Sequence, residues 1–205
     1  MLQERYGTAP RAQRFYREQV LDHLNEAMRE FVARQELMFL ATADATGACD
    51  NTLRAGPAGF VAVLDAHRLA WPEYRGNGVL ASLGNIAENP HVGLLFVDFC
   101  RDVIGLHVNG HAKIVEDAAM RAAHPELAAC CGPTADAVPG RRPERWVSVH
   151  VEEAYVHCAK HIPKMVKVPR GRAWGTDDPR RKGGDFFGVA AARSGGERPI
   201  TAAPA

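Results

Sequence analysis

Apolar residues recur along residues 11–35 at helical spacing. Val20, Leu21, Leu24, Ala27, Met28, Phe31 and Val32 follow one another at short helical steps, with acidic and basic residues between them. That spacing predicts one amphipathic helix whose role is packing. From residue 37 the pattern shortens. Residues 37–43 (LMFLATA) are an apolar run closed by Asp44-Ala45-Thr46-Gly47, a hairpin-type boundary in which Asp starts the turn and Gly takes positive φ. Residues 49–55 alternate and carry Asn51, Thr52 and Arg54; Gly56-Pro57 ends them, and residues 59–64 (GFVAVL) predict a further strand. Up to Trp71 the chain therefore reads as a meander of short antiparallel strands.

The stretch 69–97 is the centre of the pattern. A strand is predicted to break at Pro72 and open a polar loop, Tyr74-Arg75-Gly76-Asn77-Gly78. A helix follows with Leu80, Leu83, Ile86 and Ala87 on one face; Asn89-Pro90 stops it, and residues 92–97 continue as an apolar strand. Residues 103–115 (VIGLHVNGHAKIV) predict a long strand with Gly105 and Gly110 as bend or bulge points. Residues 116–131 have helical composition with a break at Pro125, residues 132–143 are loop, and residues 146–155 (WVSVHVEEAY) alternate as a late strand that joins the earlier sheet. About six or seven strands with few helices predict a mainly β (α+β) fold: a small antiparallel barrel with helices over its openings.

Composition narrows the class. The chain has 205 residues, 46% hydrophobic and 24% charged, enough for one domain with a sizeable core. Three segments are expected: a helical segment over 1–35, a barrel domain over 36–168, and a glycine- and arginine-rich tail over 169–205 that cannot bury much by itself. Twenty-five basic residues against twenty-four acidic leave a formal charge of +1, so no nucleic-acid partner is expected. No apolar run long enough to span a membrane occurs, and the polar N-terminus predicts no secretory leader. Five cysteines without a C-x-x-C pair argue against a disulfide framework and a cysteine zinc site, and predict a cytoplasmic protein.

Candidate chemistry concentrates in the loop. A glycine-bearing loop with an arginine, leading into a helix start, is either a solvated connection or an anion site, because backbone N–H groups and the positive helix end point into it. Arg54 and Arg75 with Asn77 would suit a phosphate if their strands lie side by side. Ser82 and Asn85 lie three residues apart on one helix face. Metal binding is not expected. His107, Asn109 and His111 share one side of a strand, but two imidazoles at that i, i+4 spacing stand about 13 Å apart at the backbone. Cys158 with His161 invites a nucleophile, but nothing in the sequence orients that histidine.

Five stretches in order, FLATAD-x-x-G, NTLRAGPAGFVAVLD, LAWPEYRGNGVLASLGNIAENPHVGLLFVDF, LHVNGHAKIV and YVHCAKHIPKM, resemble the pyridoxamine 5′-phosphate oxidase-like, FMN-binding split-barrel family. The resemblance runs from about Glu36 to Val168. It implies a split barrel, an FMN cofactor, and a homodimer with two FMN sites at the subunit interface. It also implies that Arg54 contacts flavin or its phosphate, that Tyr74, Arg75, Gly76 and Asn77 cradle the phosphate, that Ser82 and Asn85 face the cofactor, and that Lys164 lies near it. The implied activity is electron or hydride transfer between FMN and a nicotinamide cofactor (NADPH or NADH) or a small organic substrate, with His111 and His161 as candidate proton donors. Pyridoxamine phosphate oxidases proper carry Ser-Arg-Lys where this chain has Arg75-Gly76-Asn77, so the resemblance carries FMN binding and does not carry vitamin B6 oxidation. Two alternatives on the same barrel are a non-catalytic flavin- or haem-binding protein, with imidazole as haem ligand, and a deazaflavin-dependent reductase.

Overall fold

The computed structural model describes residues 2–129, 143–169, 174, 176, 178–181 and 183–194. Its strands are β1 (Val20–Leu21), β2 (Leu37–Ala43), β3 (Cys49–Ala55), β4 (Ala62–Val63), β5 (Arg68–Glu73), β6 (His91–Asp98), β7 (Ile104–Glu116) and β8 (Arg145–His157). The helices are α1 (Leu2–Arg5), α2 (Ala9–Gln19), α3 (Glu26–Ala33), α4 (Ala81–Glu88), α5 (Asp117–Ala123) and α6 (Val189–Ser194). The strands form one antiparallel sheet in the order β3-β2-β6-β7-β8-β5-β4, with β1 added on β8. This is a mainly β split barrel: the alternation of short strands predicts a small antiparallel barrel, and the family resemblance implies its split form.

The helix predicted over residues 11–35 is instead two helices with a strand between them. Val20 and Leu21 pair with Tyr155 and Ala154 of β8, and Asn25 restarts the helix by accepting the Met28 N–H at 2.9 Å. A ladder with a distant strand overrides local periodicity here, and the same turn buries Leu24 completely. The strand predicted over residues 59–64 shrinks to two residues, since Gly59 takes φ +83° and Phe60 N–H turns back to the Pro57 carbonyl. Nor is the first half a simple meander, because β3 and β4 end at opposite ends of the strand order. Pro72 does not break its strand; it pairs with Trp146 inside β5. Beyond Ala70, β5 has no β4 partner on its other edge, where proline is tolerated. In the central helix, Leu80 sits outside α4 and Ala87 is exposed, so the buried face is Ser82, Leu83 and Ile86. Residues 117–129 form α5 and a separate 3₁₀ turn starting at Pro125. Cys130, Cys131 and the predicted loop up to residue 142 lie outside the described residues.

β7 and β8 are the longest strands and pair along their whole length. Leu106, Val108, Gly110 and Ala112 of β7 turn inward, while His107, Asn109, His111 and Lys113 turn outward. The first half of β8 does not alternate, because both its faces are covered. Val147 and Val149 join the main core with Met38, Leu40, Leu69, Trp71 and Phe96; Trp146 joins a smaller core with Ala70, Met120 and Leu127. Trp146 donates its indole N–H to Asp117 at 2.9 Å, and Arg121 closes on the same carboxylate through its Nε, so the buried indole and carboxylate are paired.

The predicted bend at Gly110 is a β-bulge. Asn109 faces Glu153 and Gly110 faces Val151, which leaves Glu152 as an extra residue aimed outward. A Cβ at Gly110 would drive into the His150 carbonyl, with the carbonyl carbon at 3.0 Å and Val151 Cα at 3.2 Å. These are backbone atoms in a central ladder and have no room to yield. Gly110→Ala is expected to destabilise the protein by about 3 kcal/mol, the scale of overpacking; a lowered midpoint in chemical unfolding checks this.

His107 lies flat on Tyr155, ring centres 4.7 Å apart, with its Nε2 2.9 Å from Nδ1 of His157. Burial first, and the neighbouring His157 second, hold its pKa below the ordinary 6.5. The folded state therefore favours neutral His107, while the unfolded chain takes up a proton near 6.5. This stabilising contribution is complete above 6.5 and is lost as pH falls from there through the lowered value. Unfolding midpoints measured from pH 8 to pH 5 should drop more steeply in the native protein than in His107→Phe.

Candidate functional site

Arg54 and Thr52 share the inward side of β3, two residues apart. Arg54 Nη1 donates to Thr52 Oγ1 at 3.1 Å and its Nε donates to Glu73 Oε1 at 2.7 Å. Glu73, 6% exposed, ends β5, and the same oxygen accepts the Trp71 indole N–H at 2.7 Å. One buried carboxylate thus holds a guanidinium and an indole in fixed positions. Removing either partner of such a pair costs on the order of 3–5 kcal/mol, so this unit is committed to the fold.

The loop after β5 is built differently. Arg75 reaches Glu144 through Nε at 2.7 Å and Nη2 at 2.6 Å, both to Oε1, and the Arg75 side chain is 70% exposed. Glu144 is anchored by its own N–H, which donates to the Glu73 carbonyl at 3.0 Å. An ion pair this open contributes only about 0–1 kcal/mol, so a ligand can take Arg75 from it. Gly76 and Gly78 adopt φ +58° and +78°, conformations that side chains disfavour, and Gly78 N–H closes a turn on the Arg75 carbonyl at 3.0 Å. Asn77 Oδ1 accepts the Val79 N–H at 3.0 Å, which orients its amide and leaves Nδ2 to donate. Leu80 then takes φ +55° and α4 begins with no side-chain cap on its first N–H groups.

These pieces border one cleft of about 440 Å³ between the β3 edge, the end of β5 and the start of α4. Of the residues singled out from sequence, Arg54, Tyr74, Arg75, Gly76, Asn77 and Ser82 line it. Asn85 does not; its Nδ2 donates to Thr42 Oγ1 on β2 at 3.0 Å, tying α4 to the sheet. Lys164 is exposed outside the cleft. His111 lies on the outer side of β7, bonded to His91 and Glu152, and His161 is exposed on a 3₁₀ turn.

Three residues of the site escape sequence reasoning. Glu73 is hidden by reading Pro72 as the strand end; with Pro72 kept in the strand, Trp71 and Glu73 fall two apart on one side. Glu144 meets Arg75 across 69 positions of sequence, and no local signal marks it. Trp174 of the tail also lines the cleft, and no local pattern in the sequence marks it.

Among the described residues no group of three or more His, Cys, Asp or Glu side chains is placed to hold a metal ion, and no helix is long and apolar enough to cross a membrane. No curated protein matches the chain. Among solved structures, HupZ of Group A Streptococcus is similar at 23% identity, covering 65% of this chain and 93% of that one with TM-score 0.46. An F420 reductase is similar at 19% identity, covering 64% and 98%, TM-score 0.46. A NimC/NimA family protein from Clostridium acetobutylicum is similar at 12% identity, covering 73% and 94%, TM-score 0.46. The family model described as pyridoxamine 5′-phosphate oxidase matches residues 24–158, from the buried Leu24 after β1 to the end of β8. With the whole sheet from β2 to β8 inside that match, the chain belongs to the pyridoxamine 5′-phosphate oxidase family.

Proposed function

We propose that this protein is an FMN-dependent oxidoreductase, with the flavin phosphate held at the loop between β5 and α4. The observation that carries the reading is the meeting of Arg75, Gly76, Asn77, Ser82 and the uncapped start of α4 on one cleft. A phosphate dianion asks for this donor set: a guanidinium fork, an amide and a hydroxyl, and helix N–H groups with a positive dipole end. The two arginines divide the work. Arg75 is loosely paired and free to turn to the phosphate, whereas Arg54 is locked by Glu73 and Thr52 and presents a fixed edge toward the flavin. When bound, FMN supplies electron and hydride transfer between a nicotinamide cofactor or small organic substrate and an acceptor. The chain's own part is to bind and orient it, and Trp174 helps to exclude water over the cleft. The working unit in this reading is a homodimer with cofactor sites at the interface. Val166 and Val168 near Lys164 are 90% and 75% exposed, apolar surface that a second copy would cover and that would bring Lys164 toward the partner's cofactor.

Absorbance spectra and fluorescence titration of cofactor-free protein with FMN test the site. Hydrogen bonds to a charged group contribute about 1.5–3 kcal/mol each, so Arg75→Ala with Asn77→Ala should weaken FMN binding by roughly 100-fold or more with circular dichroism unchanged. Native FMN affinity in that variant would refute the loop assignment. Glu144→Gln removes the carboxylate that competes for Arg75 and should tighten FMN binding by about two- to fivefold, the worth of an exposed ion pair. Weaker binding in this variant would instead make Glu144 a positioning residue for Arg75.

A further inference from the structure

The outer side of the sheet carries a histidine pair that plays no part in the cleft. His91 of β6 and His111 of β7 stand directly opposite each other. Ala112 N–H bonds the Pro90 carbonyl at 2.8 Å, which makes the adjacent His91–His111 position the non-hydrogen-bonded pair, where facing side chains approach most closely. Their Nε2 atoms are 2.9 Å apart.

Both outer nitrogens are already taken. His91 Nδ1 is 2.9 Å from Asn89 Oδ1, and that oxygen is fixed as an acceptor because it also receives the His91 backbone N–H at 3.2 Å. His111 Nδ1 is 2.7 Å from Oε1 of Glu152, the residue that the β-bulge turns outward. Each Nδ1 therefore carries a hydrogen, and a neutral imidazole protonated there presents a lone pair at Nε2. Two lone pairs then face each other at hydrogen-bond distance, which is repulsive unless a cation lies between them. The neighbouring His107–His157 pair has no such conflict: Nε2 of one meets Nδ1 of the other, and one ring can donate to its neighbour.

A divalent metal ion resolves the conflict and matches the spacing. Two metal–nitrogen bonds of about 2.05 Å enclosing about 90° set their nitrogens about 2.9 Å apart, and a right-angled nitrogen–oxygen set is the preference of Cu(II) and Ni(II). Nδ1–H groups donating to a carboxylate and an amide oxygen are also the supports that orient metal-bound histidines and raise their basicity. We propose that His91 and His111 form a binding site for a divalent d-block cation of the nickel or copper type, with Asn89 and Glu152 holding the rings. Water fills the remaining positions, since His91 is exposed and the His111 side chain is 40% exposed. Two protein ligands make it a site of modest affinity.

The test is calorimetric titration of untagged, full-length, flavin-free protein with Ni(II) at pH 8. The expected result is one Ni(II) per chain, weakened at least tenfold in His91→Ala and in His111→Ala and unchanged in the His107→Ala, His157→Ala double variant. Glu152→Gln should weaken it by about 10-fold or more, the usual effect of losing such a support. Equal Ni(II) uptake by native protein and His91→Ala would overturn the proposal. So would no uptake at all together with a nitrogen-15 resonance of protonated Nε2, which would identify a shared proton as the cation between the rings.

Discussion

The register of β8 is the constraint on which the rest depends. Its first half lies between β7 and β5, and its second half between β7 and β1. A one-residue slip would turn Val147, Val149 and Val151 out of the core and reverse every side chain of the strand. The same register places Trp146 against Pro72 and hangs Glu144 from the last carbonyl of β5. Arg75 finds its carboxylate there, so the charge arrangement of the cleft is a consequence of strand pairing far from it. The bulge opposite Gly110 belongs to the same ladder and determines that Glu152 points out toward His111.

Within the cleft, two ion pairs of similar length have different roles because their surroundings differ. Arg54–Glu73 is 22% and 8% exposed at the side chains and also serves the Trp71 indole, so breaking it strands a buried charge and an indole donor. Arg75–Glu144 is open to water and nearly neutral in free energy. Rigidity and exchangeability are thereby separated: one arginine holds the wall and the other can be given to a ligand. The loop between them reaches its shape through two glycines and Leu80 at positive φ, and it leaves the start of α4 uncapped toward the cleft. A helix end without its own cap is a group awaiting an acceptor, which ties local backbone geometry to anion binding.

The two sides of the sheet also divide by chemistry. Inward positions of β7 and β8 are aliphatic and build the core, while outward positions carry His107, His111, His150, Glu152 and Glu153. The outward row includes one histidine whose pKa is lowered by burial and by the neighbouring His157, and one pair whose ring nitrogens are oriented by Asn89 and Glu152. Family membership rests on the sheet and its match over residues 24–158.

Much of the architecture is legible in the sequence. The bounds of β2 and β3, the helix after the glycine loop, the long β7 with its bulge and the late β8 follow from alternation, turn chemistry and glycine placement, which are local properties of the chain. Six of the eight proposed cofactor residues line one cleft: Tyr74, Arg75, Gly76, Asn77 and Ser82 belong to one stretch whose local geometry the sequence encodes, while Arg54 joins them only when the sheet assembles. What only the tertiary structure decided is non-local. The break between α2 and α3 requires Val20 and Leu21 to pair with β8, and Pro72 stays in its strand because one edge is free. Arg75 meets Glu144, and His91 meets His111, only when the sheet assembles. Glu73 became the hinge of the site through burial beside Arg54 and Trp71. Periodicity reports which side of an element faces apolar surroundings, but not which partner it faces, because that is set by pairing between strands distant in sequence.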